Sequence, residues 1–195
     1  MVLWAALTAL LHQVASAQDT IVLISGKIII SKSVEIKDYS VNYHDTKKGK
    51  FHSMEKYRIF SVLGADGKEQ VLYTKDPYDS LDFTPEQMRL FIKGEQDADR
   101  FFHGTANKAV SFAIGVPSSL LAIYGLLVPP LYSTVIGSFS PNMQKATVSD
   151  PALRNVPEYS EGYQRKVREK KIRNSLLYGL AGFAAGFVVF NMVVN

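Results

Sequence analysis

The first third of the chain alternates short apolar runs with turn residues, which is the pattern of a small β-sheet. Residues 39–43 are apolar at every second position, so that run has one apolar face. Gly26 and the Asp66-Gly67 pair lie between runs and are turn signals, Asp-Gly being typical of a hairpin. The pattern predicts five or six antiparallel strands in a meander. We expect this module, residues 18–80, to curl into a barrel-like sheet or to pack against a helix.

A connecting helix is predicted within residues 81–108. Thr84 and Gln87 have the spacing of a capping box, with proline at the first helical position between them. An apolar stripe at helical spacing follows: Met88, Phe91 and Ile92. We expect the stripe to pack on the open face of the sheet, and Gly94 and Gly104 to break the helix.

Three acids stand at alternate positions of this helix, at Glu95, Asp97 and Asp99. Such spacing also occurs in calcium loops, which supply oxygen ligands from alternate positions. The glycine and the distant glutamate of a calcium loop are replaced by Arg100 and Ala106. The acids are therefore predicted to be solvated in the first turn of a helix.

Two uncharged apolar stretches in the second half of the chain are long enough to cross a bilayer. Residues 109–130 and residues 174–194 are predicted transmembrane helices, because about 20 apolar residues span the hydrocarbon core. The intervening segment, residues 131–173, begins with an apolar run at residues 131–139. That run is too short to cross again, so it is expected to lie at the interface or to re-enter.

The net charge of +4 comes from one part of this intervening segment. Residues 18–108 carry 14 basic and 14 acidic residues, whereas residues 145–173 carry 8 basic and 4 acidic residues. The basic membrane-flanking residues are Arg165, Lys166, Arg168, Lys170, Lys171 and Arg173. Basic residues beside a span favour the cytoplasm and also contact anionic lipid. Nucleic acid is not an expected partner, because few aromatic residues lie nearby.

The N-terminal residues 1–17 are apolar and uncharged, and they end in Ala15-Ser16-Ala17. Small residues at Ala15 and Ala17 fit a signal peptidase site, so cleavage before Gln18 is predicted. An exported N-terminus and a cytoplasmic basic segment agree with two crossings. They place the sheet module and the C-terminus outside the cytoplasm, on the inner membrane.

The second apolar stretch contains three regularly spaced glycines: Gly179, Gly182 and Gly186. Gly182 and Gly186 have the small-residue spacing that lets membrane helices approach closely, most simply the first span of the same chain. The chain has no cysteine, which excludes disulfides, thiolate metal sites and thiol catalysis. His44, His52 and Glu55 flank one predicted hairpin loop and are candidate metal ligands.

The strand pattern resembles a module found in uncharacterised envelope proteins of Bacteroidota-type bacteria. The residues that carry this resemblance are Asp19, Ile21, Gly26 and Ile29, then Val34-Glu35-Ile36, Val41 and Tyr43, and Gly67-Lys68-Glu69. The resemblance covers residues 19–74. It implies that one or two apolar helices follow the module, and it implies no catalytic residue.

The sequence therefore predicts an α+β membrane protein with a small antiparallel β module, a connecting helix and two transmembrane helices. The expected function is a non-enzymatic interaction or assembly module that faces the periplasm. Its expected partners are membrane lipids and envelope proteins, and no cofactor is expected. Two alternatives stay open: a small membrane subunit of a transport or secretion complex, and a membrane-anchored, metal-dependent hydrolase.

Overall fold

The computed structural model of the chain describes residues 18–46 and 49–194. These residues form two compact units, divided between Asp76 and Pro77. The predicted signal segment, with Ala15 and Ala17 at its end, lies outside the described residues.

The first unit is one six-stranded sheet. Its strands are β1 Asp19–Leu23, β2 Ile28–Ile36, β3 Ser40–Asp45, β4 Phe51–Glu55, β5 Ile59–Leu63 and β6 Glu69–Val71. All neighbouring strands are antiparallel, in the order β4-β3-β2-β1-β5-β6. The predicted antiparallel sheet is confirmed.

The strand order departs from the predicted meander at one place. Strands β1 to β4 follow one another across the sheet, but β5 returns to the free side of β1. Ile21 of β1 thus pairs with Ile29 on one side and with Val62 on the other. Strand β1, which carries the buried residues Ile21 and Leu23, is thus one of the two central strands of the sheet.

The core of the sheet comes from alternate positions of β1 and β3 and from two residues of β5. Its buried apolar residues are Ile21, Leu23, Val41, Tyr43, Ile59 and Val62. Gly26 and Gly67 have φ of 72° and 78°, so both predicted turns are confirmed at residues that need a left-handed backbone.

The second unit is helical. Its helices are α1 Pro85–Phe101, α2 Thr105–Ser118, α3 Val128–Ser138 and α4 Pro157–Val194. Short 3-10 segments join them at Ser119–Leu127, Met143–Lys145 and Pro151–Asn155. The antiparallel sheet and these helices together confirm the predicted α+β class.

Helix α1 begins as predicted but ends and packs differently. Thr84 and Gln87 form the capping box, with the Gln87 amide 3.3 Å from the Thr84 hydroxyl. Gly94 does not break the helix, whereas Gly104, at φ 61°, separates α1 from α2. The apolar stripe was predicted to face the sheet, but Phe91 packs against Gly162 of α4.

The predicted transmembrane segment over residues 109–130 is not one continuous helix, because the chain reverses within it. Ala122 has φ 50° and ψ −131°, which interrupts the helical backbone. Before this point α2 runs alongside α4, and after it α3 runs back, so Gly115 and Pro129 both contact Gly179. Residues 105–138 therefore form a hairpin of two helices, which the predicted re-entry of residues 131–139 only partly anticipated.

Both ends of this hairpin lie at the same level of α4. The Asn107 amide donates to the carbonyl of Lys171, 3.1 Å away, and the Lys171 ammonium donates to the carbonyl of Phe139, 2.9 Å away. The hairpin leaves the level of Lys171 and returns to it. Helix α4 itself is continuous, so the basic residues 165–173 and the predicted transmembrane segment 174–194 belong to one helix, with no break at residue 174.

Candidate functional site

Helix α4 changes character halfway along its length. Residues 157–173 carry all of its charges, and residues 174–194 carry none. Helix α1 packs along the polar half, and the α2–α3 hairpin packs along the apolar half. Each half therefore has its own chemistry and its own neighbours.

Glycines bring α1 and the polar half of α4 into backbone contact. A Cβ at Gly94 would collide with the backbone of Tyr159, and a Cβ at Gly162 would collide with the backbone of Phe91. The close approach leaves little room for water between the helices. Polar side chains in this interface must therefore find partners within the protein.

Asp97 is the best-satisfied polar group of the interface. One of its carboxylate oxygens accepts hydrogen bonds from the hydroxyls of Ser149 and Tyr159, the latter at 2.6 Å, and from the Ser149 amide at 3.0 Å. The other oxygen lies 3.6 Å from the ammonium of Lys93. Asp97 thus joins α1, α4 and the loop before α4.

Glu95 is equally buried but poorly satisfied. It is 2% exposed, and one carboxylate oxygen has no hydrogen-bond partner among the described residues. The other oxygen lies 3.7 Å from a guanidinium nitrogen of Arg165, whose own side chain is 58% exposed. A buried carboxylate with one weak partner favours its neutral form.

The pKa values of the two acids shift in opposite directions. Burial raises the pKa of Glu95 above its usual value, and nearby Arg165 and Lys166 only partly offset this effect. Burial would also raise the pKa of Asp97, but the hydrogen bonds from Ser149 and Tyr159 outweigh it, so this pKa is lowered. Sequence reasoning placed both acids in solvent and missed that they are buried.

The end of α1 is held by a lysine of α4. The Lys170 ammonium donates to the carbonyls of Ala98 and Asp99 and lies 3.2 Å from the Asp99 carboxylate. A cation at a helix C-terminus satisfies its free carbonyls and complements the helix dipole. Lys170 thus fixes the point at which α1 stops and the hairpin begins.

The hairpin lies against the glycine-rich face of α4. A Cβ at Gly182 would collide with the carbonyl of Phe112, and a Cβ at Gly186 would collide with the carbonyl of Val116. Gly179 lies in the same way against Pro129 of the returning helix. The three glycines singled out in the sequence therefore line the contact between α4 and both arms of the hairpin.

Hydroxyl groups within the hairpin are satisfied by the backbone of the hairpin itself. Ser111 donates to Asn107, Ser118 to Gly115 and Ser119 to Val116, all at 2.6–2.7 Å. This is the arrangement that allows serine in helices without access to water.

Many apolar side chains in these helices are not covered by any of the described residues. Residues 105–138 and 157–192 are long and apolar enough to cross a membrane, yet only 28% and 22% of their most apolar windows are buried. The exposed residues include Leu120, Leu121, Ile123, Leu127, Leu131, Val135, Leu177, Phe187, Val188, Val189 and Met192. A core helix of a water-soluble protein would be mostly covered.

An open apolar groove runs between the hairpin and α4. It has a volume of about 550 Å³ and is lined by Phe112, Val116, Leu120, Gly186, Val189 and Phe190. The groove belongs to the same uncovered surface.

The helical contacts contradict the predicted arrangement in which α1 and the basic segment lie on opposite sides of a membrane. Glu95 and Asp99 of α1 lie within 4 Å of Arg165 and Lys170 of α4. A hydrocarbon core of about 30 Å cannot separate residues in contact. The structure thus holds residues of α1 and of the basic segment together, and the side of a membrane on which they lie stays a prediction.

The six basic residues singled out in the sequence have different surroundings. Arg165 contacts Glu95, Lys166 lies 3.0 Å from Glu169, and Lys170 is buried against the end of α1. Arg168 and Arg173 are exposed, and Lys171 holds the end of α3.

The register of β3 and β4 separates the two histidines proposed as metal ligands. His52 pairs with Tyr43 and stacks on its ring at 5.4 Å, whereas His44 pairs with Phe51. Successive residues of a strand point to opposite faces, so His44 and His52 do not share a site. Within residues 18–46 and 49–194 no group of three potential ligands is placed to hold a metal.

Comparison of the chain with protein-family models, with curated proteins and with solved structures found no match.

Proposed function

We propose that this chain is an integral membrane protein that presents its sheet unit as a non-enzymatic interaction or assembly module. The observation that carries the proposal is the division of α4 into a polar half, packed by α1, and an uncharged half with uncovered apolar side chains. Residues 174–194 would be about 31 Å long as a helix, enough to cross the hydrocarbon core.

In this proposal α4 is the single crossing, and the hairpin dips into the bilayer beside it. The hairpin follows α4 from Lys171 to Gly186, a distance of about 22 Å at 1.5 Å per residue. It then returns to the level at which it entered. Its buried backbone and its self-satisfied serines are what a re-entrant segment requires.

The sheet unit then lies on the same side of the membrane as the polar half of α4, and the C-terminus lies on the other side. No apolar stretch of spanning length separates β6 from α1. The predicted signal peptide puts this side outside the cytoplasm. The basic residues beside the crossing favour the opposite orientation, and the proposal gives precedence to the signal peptide, which exports the N-terminal side first.

Membrane extraction and partner capture test this function. The full chain should sediment with membranes and resist alkaline carbonate, and a fragment of residues 18–76 should fold as a soluble sheet that retains envelope proteins. Release of the full chain by carbonate would contradict membrane insertion. If the sheet fragment folds but captures no protein, while the full chain does capture partners, the sheet is not the interaction module.

A second candidate function is a small membrane subunit of a larger complex. The uncovered groove between the hairpin and α4 favours it, because a partner helix would cover Phe112, Val116 and Phe190. Co-purification of partners with a chain that lacks the sheet, in mild detergent, would select this candidate over the first.

A further inference from the structure

Five cations lie at the level where the hairpin enters and leaves. We define the basic collar as Arg100, Lys108, Arg168, Lys171 and Arg173. The Lys171 ammonium reaches the last turn of α3 at Phe139, and the Lys108 ammonium lies 5.7 Å from the centre of the Tyr178 ring. Arg100 lies in the last turn of α1, and Lys170 of α4 contacts the end of that helix. Three helices thus contribute cations at one height of the unit.

The collar is not neutralised by acids of the same region. Asp99 is bound by Lys170, and Glu169 is bound by Lys166, both of which lie outside the collar. Among residues 18–46 and 49–194, no carboxylate lies within 4 Å of a collar cation. The collar therefore keeps an excess of positive charge.

The collar cations come from three helices and do not all point in one direction. Arg168 and Arg173 are five residues apart on α4, so they point about 140° away from each other. Arg100 lies on α1 and Lys108 on α2. Cations that point in different directions near the entry of the hairpin match a planar anionic surface through which the unit passes, whereas a folded partner or a nucleic acid would meet only some of them.

Two collar lysines combine an apolar environment with a free charge. Lys108 and Lys171 are half-buried, and their ammonium groups lie near the Tyr178 ring and the Phe139 carbonyl, at the start of the apolar half. A lysine in this position extends its ammonium towards a membrane surface. Lys171 uses one donor for Phe139, which leaves two for a phosphate oxygen.

We propose that the basic collar binds the headgroups of anionic phospholipids in the leaflet from which the hairpin enters. This inference rests on the proposed membrane insertion and adds a lipid class and a set of residues to it. Each cation near an anionic surface contributes roughly a fivefold preference at moderate salt.

The test measures which lipids stay bound to the full-length protein. Protein reconstituted in equal amounts of phosphatidylglycerol and phosphatidylcholine is released in mild detergent, and native mass spectrometry counts the retained lipids. The collar variant is Lys108→Gln/Arg168→Gln/Arg173→Gln, and the control variant removes three exposed cations of the sheet, Lys27→Gln/Lys32→Gln/Lys50→Gln. We expect wild type and control to retain phosphatidylglycerol preferentially, and the collar variant to lose this preference by tenfold or more.

Three outcomes would overturn the proposal. They are an unchanged lipid ratio in the collar variant, an equal loss in the control variant, and displacement of the lipid by excess inorganic phosphate, which would indicate a free-anion site.

If the triple variant loses its helical circular dichroism, the single exposed change Arg173→Gln must still lower the ratio. Lys108→Arg/Arg168→Lys/Arg173→Lys should retain it. If the wild-type protein resists carbonate but shows no lipid preference, only the lipid-binding role of the collar is refuted. If carbonate releases the wild-type protein, the proposed membrane insertion is refuted as well.

Discussion

Glu95 and Asp97 are two residues apart on one helix, yet their ionised forms have opposite effects on the stability of the helical unit because their surroundings differ. Asp97 accepts three hydrogen bonds, and Glu95 leaves one buried oxygen without a partner. The sequence could not separate them, because both are acids in a polar stretch of α1. Only the close approach of Gly94 to Tyr159 buries them, and that approach depends on residues more than sixty positions away.

Replacing Glu95 with Gln should stabilise the helical unit near neutral pH. The folded-state pKa of Glu95 is raised, so the unfolded chain ionises first as the pH rises above 4.5, and stability is lost through that window. Glu95→Gln does not ionise and escapes this loss. We expect the apparent melting temperature of the variant, in detergent, to exceed that of wild type by an amount that grows from pH 4.5 upward. A variant that is less stable at every pH would contradict this account.

Asp97→Asn should have the opposite effect. The folded-state pKa of Asp97 is lowered, so its contribution is present above the usual value of 3.8 and is lost as the pH falls through the folded-state value. Losing the charged acceptor of Tyr159 and Ser149 should cost about 1–3 kcal/mol at pH 7. Thermal unfolding of wild type and variant should differ clearly at pH 7 and converge at acidic pH. A constant difference across this range would show that the charge of Asp97 does not matter.

At the scale of the elements, local patterns predicted most starts, turns and strands. The Asp66-Gly67 turn and the Thr84 capping box are set by residues within four positions, and both are confirmed. The return of β5 to β1 and the reversal at Ala122 depend on distant pairing. A hydropathy profile reports only the length and polarity of a segment. It therefore cannot distinguish a straight helix over residues 105–138 from a helical hairpin.

The glycine face of α4 is expected to control the docking of the hairpin. Gly182→Leu would force its side chain into the carbonyl of Phe112, whereas Ala181→Leu adds the same bulk on the exposed face one residue earlier. We expect Gly182→Leu to destabilise the unit by several kcal/mol and to expose the hairpin to protease in detergent. Ala181→Leu should behave as wild type. Equal protease sensitivity in the two variants would contradict the packing described for this face.

At the scale of the whole molecule, the order of apolar and charged segments along the chain was predicted from sequence. The side of the membrane on which each charged segment lies was not. A signal peptide and a basic segment agreed only while residues 109–130 counted as a full crossing. The contacts of Glu95 with Arg165 and of Asp99 with Lys170 remove that crossing, and the two topological arguments then point in opposite directions. Under the proposed function, the expected number of crossings is then one instead of two.

Cysteine accessibility tests this single-crossing account most directly, because the native chain has no cysteine. Single cysteines replace Ser53 in β4, Thr147 in the loop before α4, and Asn195 at the C-terminus, and intact spheroplasts are treated with a membrane-impermeant maleimide. The account predicts labelling at Ser53 and Thr147, with Asn195 protected until the membrane is permeabilised. Labelling at Ser53 and Asn195 with protection at Thr147 would restore two crossings and contradict the hairpin.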